Sequence, residues 1–232
     1  MICIPIVAKD QDAALMQMER GFPLADILEL RIDQIKNLNL EGLLRRKRGK
    51  VLVTNRRKDE GGGFSGTERE RVELLKEAVA LGVDYVDIEV WTEGALIKEL
   101  STKIGNHHGR ARWIVSYHDF SGTPSERSLR RRLDECNRTG ADIVKIVTYA
   151  NTVEDNLRVL GLIPYARRRG LEIIAFCMGE MGRISRIMAP LLGSCFSYVS
   201  LEKGVESAPG QLAVEEIRKV FRILNIGGTE KA

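Results

Sequence analysis

The chain alternates between two hydrophobic patterns along its length. Short runs rich in β-branched and aromatic residues are followed by longer stretches in which apolar residues recur at helical spacing. The longer stretches predict helices, for example over 67–81, over 125–138, which opens with a Ser-Glu start signal, and over 211–224. The short runs predict eight strands, at residues 2–8, 27–33, 51–56, 85–90, 112–118, 143–149, 172–178 and 196–201.

Eight βα units within 232 residues, with no Pro/Gly/Ser-rich linker between them, predict an α/β fold. The simplest arrangement is a single (β/α)8 TIM barrel, one catalytic domain over residues 1–232. An open doubly wound sheet is the alternative, but that fold normally has a glycine-rich nucleotide turn after an early strand, and none follows the first strand here. The glycines at 61–63 follow the third strand without the residues of a P-loop, and we interpret them as a flexible active-site loop.

Composition narrows the class of protein. A hydrophobic content of 44% is that of a globular protein with a substantial core. The four cysteines are far apart and form no C-x-x-C pair, which favours a reducing cytoplasm and argues against a zinc site. The apolar N-terminal run is too short to span a membrane and lacks the features of a signal peptide. His107 and His108 have no ligand-like neighbours, so we expect an exposed turn there and no metal.

The charge pattern raises the question of nucleic acid. The formal net charge is +4, and basic residues cluster at 45–50, 130–132 and 167–169. Each cluster lies at or near the end of a predicted helix, where cations face solvent, and none is interleaved with stacking aromatics. We therefore expect no nucleic-acid partner, and a mildly basic surface also suits a small anionic substrate.

Lys145 interrupts the apolar run of the sixth predicted strand. A buried primary amine is either paired or reactive, because removal from water favours the neutral, nucleophilic form. Such an amine forms imines with carbonyl substrates. Taken alone, the lysine is better explained by a structural ion pair or by a side chain that reaches the surface.

Polar residues at the ends of other strands favour the reactive interpretation of Lys145 over the structural one. In a barrel the C-terminal strand ends build the active site, so these side chains are expected to converge on Lys145. Several converging charges are hard to explain by core ion pairs alone. His118 is the natural proton-transfer group, because imidazole titrates near neutrality. The strand-end residues are Glu29, Arg31, Asp33, Thr54, Asn55, Arg56, Asp87, Glu89, Ser116, Tyr117 and His118.

Taken in order, these residues and several later ones resemble the type I 3-dehydroquinate dehydratase family. The resemblance implies a (β/α)8 barrel, usually a homodimer without cofactor, that dehydrates 3-dehydroquinate to 3-dehydroshikimate through a lysine Schiff base. It rests on the segments 29–33, 54–56, 116–120, 145–146, the Met-Gly and Ser185-Arg186 region, and 207–211.

The resemblance also implies a role for each matching residue. Lys145 would form the imine, His118 would act as general acid and base, and Glu60 would orient the histidine. Arg186 would bind the substrate carboxylate. The remaining residues implied to contact the substrate are Glu29, Arg31 and Arg56 at the ring hydroxyls, Ser207 and Gln211 on the carboxylate side, and Phe176 and Met178 as walls of the ring site.

Two functions other than the dehydratase are compatible with part of the pattern. A class I aldolase also carries an imine-forming lysine in such a barrel, but it usually has phosphate-binding loops after the last two strands, and residues 207–211 contain a proline and no Gly-Gly anion nest. A basic nucleic-acid-binding module would leave the inward charges unexplained. Aromatic biosynthesis and quinate breakdown use the same dehydration, and the sequence is compatible with either.

Overall fold

The structure is a computed structural model that describes residues 1–106 and 111–224, so His107 and His108 lie outside the described residues. Its strands form one parallel sheet in the order β7-β6-β5-β4-β3-β2-β1-β8. The backbone N–H of Cys195, just before β8, donates to the carbonyl of Ile173 in β7 at 2.9 Å and brings the two edges together. The strands are β1 Ile2–Ile6, β2 Ile27–Arg31, β3 Lys50–Thr54, β4 Tyr85–Glu89, β5 Arg112–Asp119, β6 Ile143–Tyr149, β7 Glu172–Met178 and β8 Ser197–Tyr198.

A helix follows each strand, which makes the molecule the (β/α)8 barrel that the sequence predicts. Thr67 and Ser125 cap α3 and α5 through side-chain hydrogen bonds, so the expected helix starts are confirmed. The helices are α1 Gln11–Gly21, α2 Leu40–Leu44, α3 Glu68–Ala80, α4 Gly94–Asn106, α5 Glu126–Asn137, α6 Asp155–Arg168, α7 Arg183–Leu192 and α8 Val214–Ile223.

The alternation along each strand divides the core into two layers. In β6, Val144 and Ile146 pack outward against the helices, in the larger apolar cluster. Ile143 and Val147 point into the barrel and join the inner cluster. Lys145 lies between these two on the inner face, because successive side chains of a strand point to opposite sides. The sixth strand therefore carries its amine into the barrel interior.

Some elements end earlier or begin later than the pattern predicts. β2 stops at Arg31 because Asp33 folds back in a 3₁₀ turn and accepts two hydrogen bonds from the Arg31 guanidinium, at 2.8 and 2.9 Å. α8 begins at Val214, three residues after the expected start, because Ser200 and Ala213 form an isolated parallel bridge that keeps the chain extended. Gln211 is consequently a loop residue.

The basic clusters form ion pairs with acidic side chains. Lys47 pairs with Asp84 at 2.6 Å, and Arg169 pairs with Asp134 at 2.6 Å. The cluster 130–132 lies in the middle of α5, not at its end, and its three arginines pair with glutamates of the same helix. These pairs neutralise part of the positive charge of each cluster.

One arginine ties α3 to the sheet. Arg71 is 1% exposed, and it donates to Glu89 Oε2 at 2.6 Å, to the Asn55 carbonyl at 2.8 Å and to Thr92 Oγ1 at 2.7 Å. Its remaining donors reach Glu68 at 3.0 to 3.3 Å. All five N–H groups of this guanidinium are therefore occupied, which is the condition for burying an arginine.

We predict that Arg71→Met lowers the free energy of unfolding by about 3 to 5 kcal/mol, because it leaves part of the charge of buried Glu89 uncompensated. Arg69→Met is the matched control, since this arginine of the same helix is 63% exposed and pairs only loosely with Glu99, at 3.4 Å. Urea unfolding measures both variants. Equal midpoints for the two would contradict the structural role of Arg71.

Candidate active site

A cleft of about 570 Å³, counted out to its open mouth, lies at the carboxyl ends of the strands. That size suits a small molecule. Of the strand-end residues expected to converge on Lys145, Asn55 and Tyr117 face outward instead, because Asn55 Nδ2 donates to the Arg71 carbonyl at 3.2 Å and Tyr117 packs in the outer apolar cluster. The structure brings every residue to which the family resemblance gave a role to this one cleft. They are Glu29, Arg31, Arg56, Glu60, His118, Lys145, Phe176, Met178, Arg186, Ser207 and Gln211.

Lys145 lies at the bottom of the cleft and is 4% exposed. Its Nζ donates to Asp87 Oδ2 at 3.0 Å and to the hydroxyl of Tyr198 at 3.3 Å. Nζ also lies 4.5 Å from the centre of the Tyr198 ring, a cation–π distance. The amine is therefore both paired and open to the cleft, so the structural and the reactive interpretations of the lysine are compatible.

Asp87 is the anion beside this amine. It is completely buried and also pairs with Arg56 at 2.9 Å and accepts a hydrogen bond from Ser116 at 2.6 Å. Burial opposes its ionisation, but the charges of Arg56 and Lys145 outweigh burial and hold the pKa of Asp87 well below its usual range. The carboxylate therefore stays charged at every working pH.

Arg56 is the inward arginine of the pair that follows β3. It is 3% exposed and donates to Glu89 Oε1 at 2.9 Å and to Ser116 Oγ at 2.7 Å, in addition to its contact with Asp87. Arg57, by contrast, points away from the cleft to Asp59, at 2.9 Å. Burial alone would lower the pKa of Arg56, but the neighbouring carboxylates raise it, so this guanidinium is a permanent cation.

His118 and Glu60 form a hydrogen-bonded pair at the cleft. Glu60 Oε2 lies 2.8 Å from His118 Nδ1 and also accepts the backbone N–H of His118 at 3.1 Å. Burial raises the pKa of Glu60 to about 8. Burial, reinforced by the charges of Arg56 and Lys145, lowers the pKa of His118 well below its ordinary value. Because the contact with Glu60 uses Nδ1, Nε2 is the ring nitrogen left for a substrate, and groups this close titrate as a coupled pair.

The glycines after β3 place Glu60 against the histidine. Gly61 has φ of 78°, in the left-handed region, and a Cβ there would lie 2.6 Å from the ring of Phe120. A Cβ on Gly62 would collide with the backbone oxygen of Arg56. The expected glycine loop is thus a closely packed turn, and Phe120 lies over it with its ring stacked 6.4 Å from that of His118.

Arg186, in the first turn of α7, is a buried guanidinium of a different kind. It is 2% exposed, and among the residues that the structure describes it donates only to the backbone carbonyls of Tyr198 at 3.5 Å and Pro209 at 3.2 Å. Its Nε has no hydrogen-bond partner among the described residues, and none of their carboxylates pairs with it. Burial lowers the pKa of Arg186 to about 10. A buried cation without a counter-ion is a site for an anion.

The other predicted residues complete the walls and rim. Glu29 accepts a hydrogen bond from Thr54 at 2.7 Å, and Arg31 is held by Asp33. Gln211 is buried, and its Oε1 accepts the Ser207 backbone N–H at 2.7 Å. Phe176 and Met178 are apolar walls, 5% and 2% exposed. Arg186 lies over the Phe176 ring at 4.5 Å.

Sequence reasoning did not assign a role to two groups that contact the amine. Asp87 was recognised as inward-facing, but its contact with Lys145 depends on the distance between β4 and β6, which only the barrel sets. Tyr198 lies in the eighth predicted strand, two residues after Phe196 on the same inner face, so alternation could have found it.

No group of three or more His, Cys, Asp or Glu side chains within residues 1–106 and 111–224 is arranged to hold a metal ion. None of the helices in that part of the chain is both long and apolar enough to cross a membrane.

Comparison with known proteins gives the same family as the sequence motifs. A model described as type I 3-dehydroquinase matches residues 2–227. The 3-dehydroquinate dehydratase of Pyrococcus abyssi is 39% identical over 227 residues, covering 98% of this chain and 100% of that protein. The enzyme of Syntrophobacter fumaroxidans is 38% identical over 215 residues, 89% of each chain.

Solved structures agree. The crystal structure of a type I 3-dehydroquinate dehydratase from Clostridium difficile, with covalent modified comenic acid, has a TM-score of 0.88 and 27% identity over 96% of this chain and 91% of that one. The match therefore extends from sequence to fold over nearly the whole length. The chain belongs to the type I 3-dehydroquinase family and is an enzyme of the hydro-lyase kind.

Proposed function

We propose that the enzyme dehydrates 3-dehydroquinate to 3-dehydroshikimate, a step of the shikimate pathway, through an imine on Lys145. Family membership supports the reaction. The imine is supported by the buried amine in the cleft and by the relative from Clostridium difficile, whose crystal structure holds a covalent modified comenic acid.

The observation that carries the proposal is that Lys145 and Arg186 line the same cleft. A primary amine reacts with a carbonyl carbon, and an unpaired buried guanidinium binds a carboxylate. Together they fit a substrate that carries both a ketone and a carboxylate. 3-Dehydroquinate has both groups, on two ring carbons that are separated by a single CH2 carbon.

The proposed reaction begins when the neutral amine of Lys145 attacks the ring ketone and water leaves. The protonated imine withdraws electrons and acidifies the adjacent carbon, and the fixed charge of Asp87 lies beside it. His118 Nε2 then removes a proton from that carbon. The enamine expels the hydroxyl of the carboxylate-bearing carbon, with His118 returning the proton, and hydrolysis of the imine releases the enone.

The pair Glu60–His118 acts as a base only after losing one proton. When the pair holds two protons, there are two arrangements: either both ring nitrogens of His118 carry a hydrogen, or the carboxyl of Glu60 is protonated and donates to Nδ1 while Nε2 carries the other hydrogen. In both arrangements Nε2 has no free lone pair. When the pair holds one proton, Glu60 is ionised, Nδ1 carries the proton and Nε2 has a free lone pair. Glu60 thus selects the tautomer that His118 needs, through the 2.8 Å contact.

The remaining assignments follow the walls of the cleft. Arg186 binds the substrate carboxylate, and Ser207 and Gln211 contact the same side of the substrate. The ring hydroxyls contact Glu29, Arg31 and Arg56, while Phe176 and Met178 pack on the ring. Residues 1–232 form one catalytic barrel domain. The enzyme acts as a cytoplasmic homodimer and uses no cofactor.

We predict that Lys145→Met abolishes formation of the enone product, measured by its ultraviolet absorbance. Methionine keeps the apolar stem, and Asp87 stays paired with Arg56, so the barrel remains folded. The exposed lysine of α4, Lys98, gives the control variant Lys98→Met, which should turn over normally. Turnover by Lys145→Met above a tenth of the normal rate would exclude the imine.

We predict a pH dependence set by the Glu60–His118 pair. Turnover falls as the pH drops through a midpoint of about 8, because the raised pKa of Glu60 lets the pair take up a second proton. Glu60→Gln removes that carboxylate, so His118 titrates alone, and its lowered pKa moves the midpoint below 6.5. The profile of kcat/KM against pH measures both, and an unmoved midpoint in Glu60→Gln would contradict the pairing.

We predict that Arg186→Met weakens binding of a carboxylate ligand such as quinate at least a hundredfold, a loss of about 2.7 kcal/mol. The same variant should unfold at an unchanged or higher urea concentration without ligand, because it removes an uncompensated buried charge. Arg183→Met, on an exposed arginine of the same helix that pairs with Glu180 at 3.2 Å, is the control. Destabilisation by Arg186→Met with binding retained would exclude the anion site.

A further inference from the structure

We propose that Tyr198 is a further catalytic residue, whose hydroxyl orients the amine of Lys145 for attack and hydrogen-bonds the oxygen that leaves the substrate ketone as water. This inference rests on the proposed imine chemistry. It assigns to Tyr198 the formation and hydrolysis of the imine, and leaves the proton transfer at carbon to His118.

Tyr198 contacts the reacting nitrogen directly. Its hydroxyl lies 3.3 Å from Lys145 Nζ, it is 4% exposed, and it lines the same cleft. Its position is fixed independently of that contact. The ring packs against Phe176 with the centroids 5.7 Å apart, and β8 pairs with β1 at Tyr198 and Cys3.

The hydrogens of the amine determine the direction of the lone pair on Lys145 Nζ. A neutral amine has two N–H groups and one lone pair in a roughly tetrahedral arrangement. Asp87 at 3.0 Å and the Tyr198 oxygen at 3.3 Å accept those two hydrogens. The lone pair is then left at the remaining position, and Lys145 lines the cleft. Without the Tyr198 oxygen, rotation about the last side-chain bond would move the lone pair away from the ketone.

The hydrogen of the phenol is available to the substrate. Burial, reinforced by the nearby groups Cys3, Glu29 and Asp87, raises the pKa of Tyr198 well above its ordinary value, so the phenol keeps its proton. The thiol of Cys3 is a further polar neighbour of the phenol, and sulfur is a weak acceptor. While Lys145 is an ammonium it only donates to Tyr198, so among the residues the structure describes no strong acceptor binds this hydrogen.

Addition of the amine to the ketone brings a hydrogen-bond acceptor next to the phenol hydrogen of Tyr198. When Nζ bonds to the ketone carbon, the former carbonyl oxygen is attached to the same carbon as the nitrogen, and so comes next to the phenol. The Tyr198 hydroxyl donates a hydrogen bond to it and transfers no net proton. The protons balance over the whole step: solvent takes one of the three protons of the Lys145 ammonium before the neutral amine attacks and returns it to the departing oxygen, the second moves from nitrogen to that oxygen, and the third stays on the imine nitrogen.

The variant Tyr198→Phe isolates the hydroxyl, because phenylalanine keeps the ring over the amine and the contact with Phe176. The rate of imine formation is measured by mixing enzyme with 3-dehydroquinate, quenching with borohydride at short times and weighing the protein. Quinate, which has an alcohol where the substrate has the ketone, reports binding without imine chemistry. The control is Tyr149→Phe, a half-buried tyrosine at the end of β6 that makes no hydrogen bond to Lys145 in the described part of the chain.

Tyr198→Phe should form the imine about tenfold more slowly, a loss typical of one hydrogen bond at a reacting group. Its affinity for quinate should stay within twofold of normal, and Tyr149→Phe should match the unmodified enzyme in both tests. Imine formation within twofold of normal in Tyr198→Phe would overturn the role. An equal loss of quinate affinity and imine rate would also overturn it, because the hydroxyl would then be structural. If the unmodified enzyme gives no adduct at all, the proposed function itself is wrong and this inference falls with it.

Discussion

A chain of buried charges of alternating sign runs from helix α3 to the amine at the centre of the barrel. Arg71 binds Glu89, Glu89 binds Arg56, Arg56 binds Asp87, and Asp87 binds Lys145, with every link between 2.6 and 3.0 Å. Each of these ions would be costly to bury alone, but each has an opposite charge on at least one side. The chain fixes the amine relative to the sheet, so the position of the nucleophile depends on a helix on the outside of the barrel.

Arg186 shows the opposite arrangement on the other side of the same cleft. Its guanidinium is as deeply buried as that of Arg56, but within residues 1–106 and 111–224 it donates hydrogen bonds only to backbone carbonyls. The barrel therefore keeps one cation unneutralised in the absence of ligand, at some expense of stability, and a carboxylate would complete it. Tyr198 connects the two sides, because its hydroxyl contacts Lys145 and its backbone carbonyl accepts from Arg186. Binding of the anion and attack on the ketone would then meet at one residue.

Much of this could be predicted from the sequence, because a strand repeats every two residues. The alternation around Lys145 placed it inside a barrel, and the carboxyl ends of parallel strands gave the location of the cleft. The irregular ends of strands and helices were harder to predict. The strand containing Arg31 stops early because Asp33 folds back onto it, and Gln211 stays outside α8 because of a bridge between Ser200 and Ala213. These contacts join residues distant in sequence or reverse the local chain direction, and no periodic pattern encodes them.

The partners of each charge were also beyond sequence reasoning. The sequence does not show that Arg56 pairs with two carboxylates, while none of the carboxylates in the described part of the chain pairs with Arg186. That difference depends on which strands are neighbours around the barrel. It is also the difference that separates a cation neutralised by the protein from one that is left to pair with a carboxylate of the substrate.

Imine formation by Lys145 is tested most directly by incubating the enzyme with 3-dehydroquinate, reducing with borohydride, and locating the added mass by peptide mass spectrometry. Borohydride converts a transient imine into a stable amine. We predict one adduct of substrate or product mass, carried by the peptide that contains Lys145 and absent from Lys145→Met. An adduct on a different lysine, or no adduct while the enzyme turns over, would contradict it.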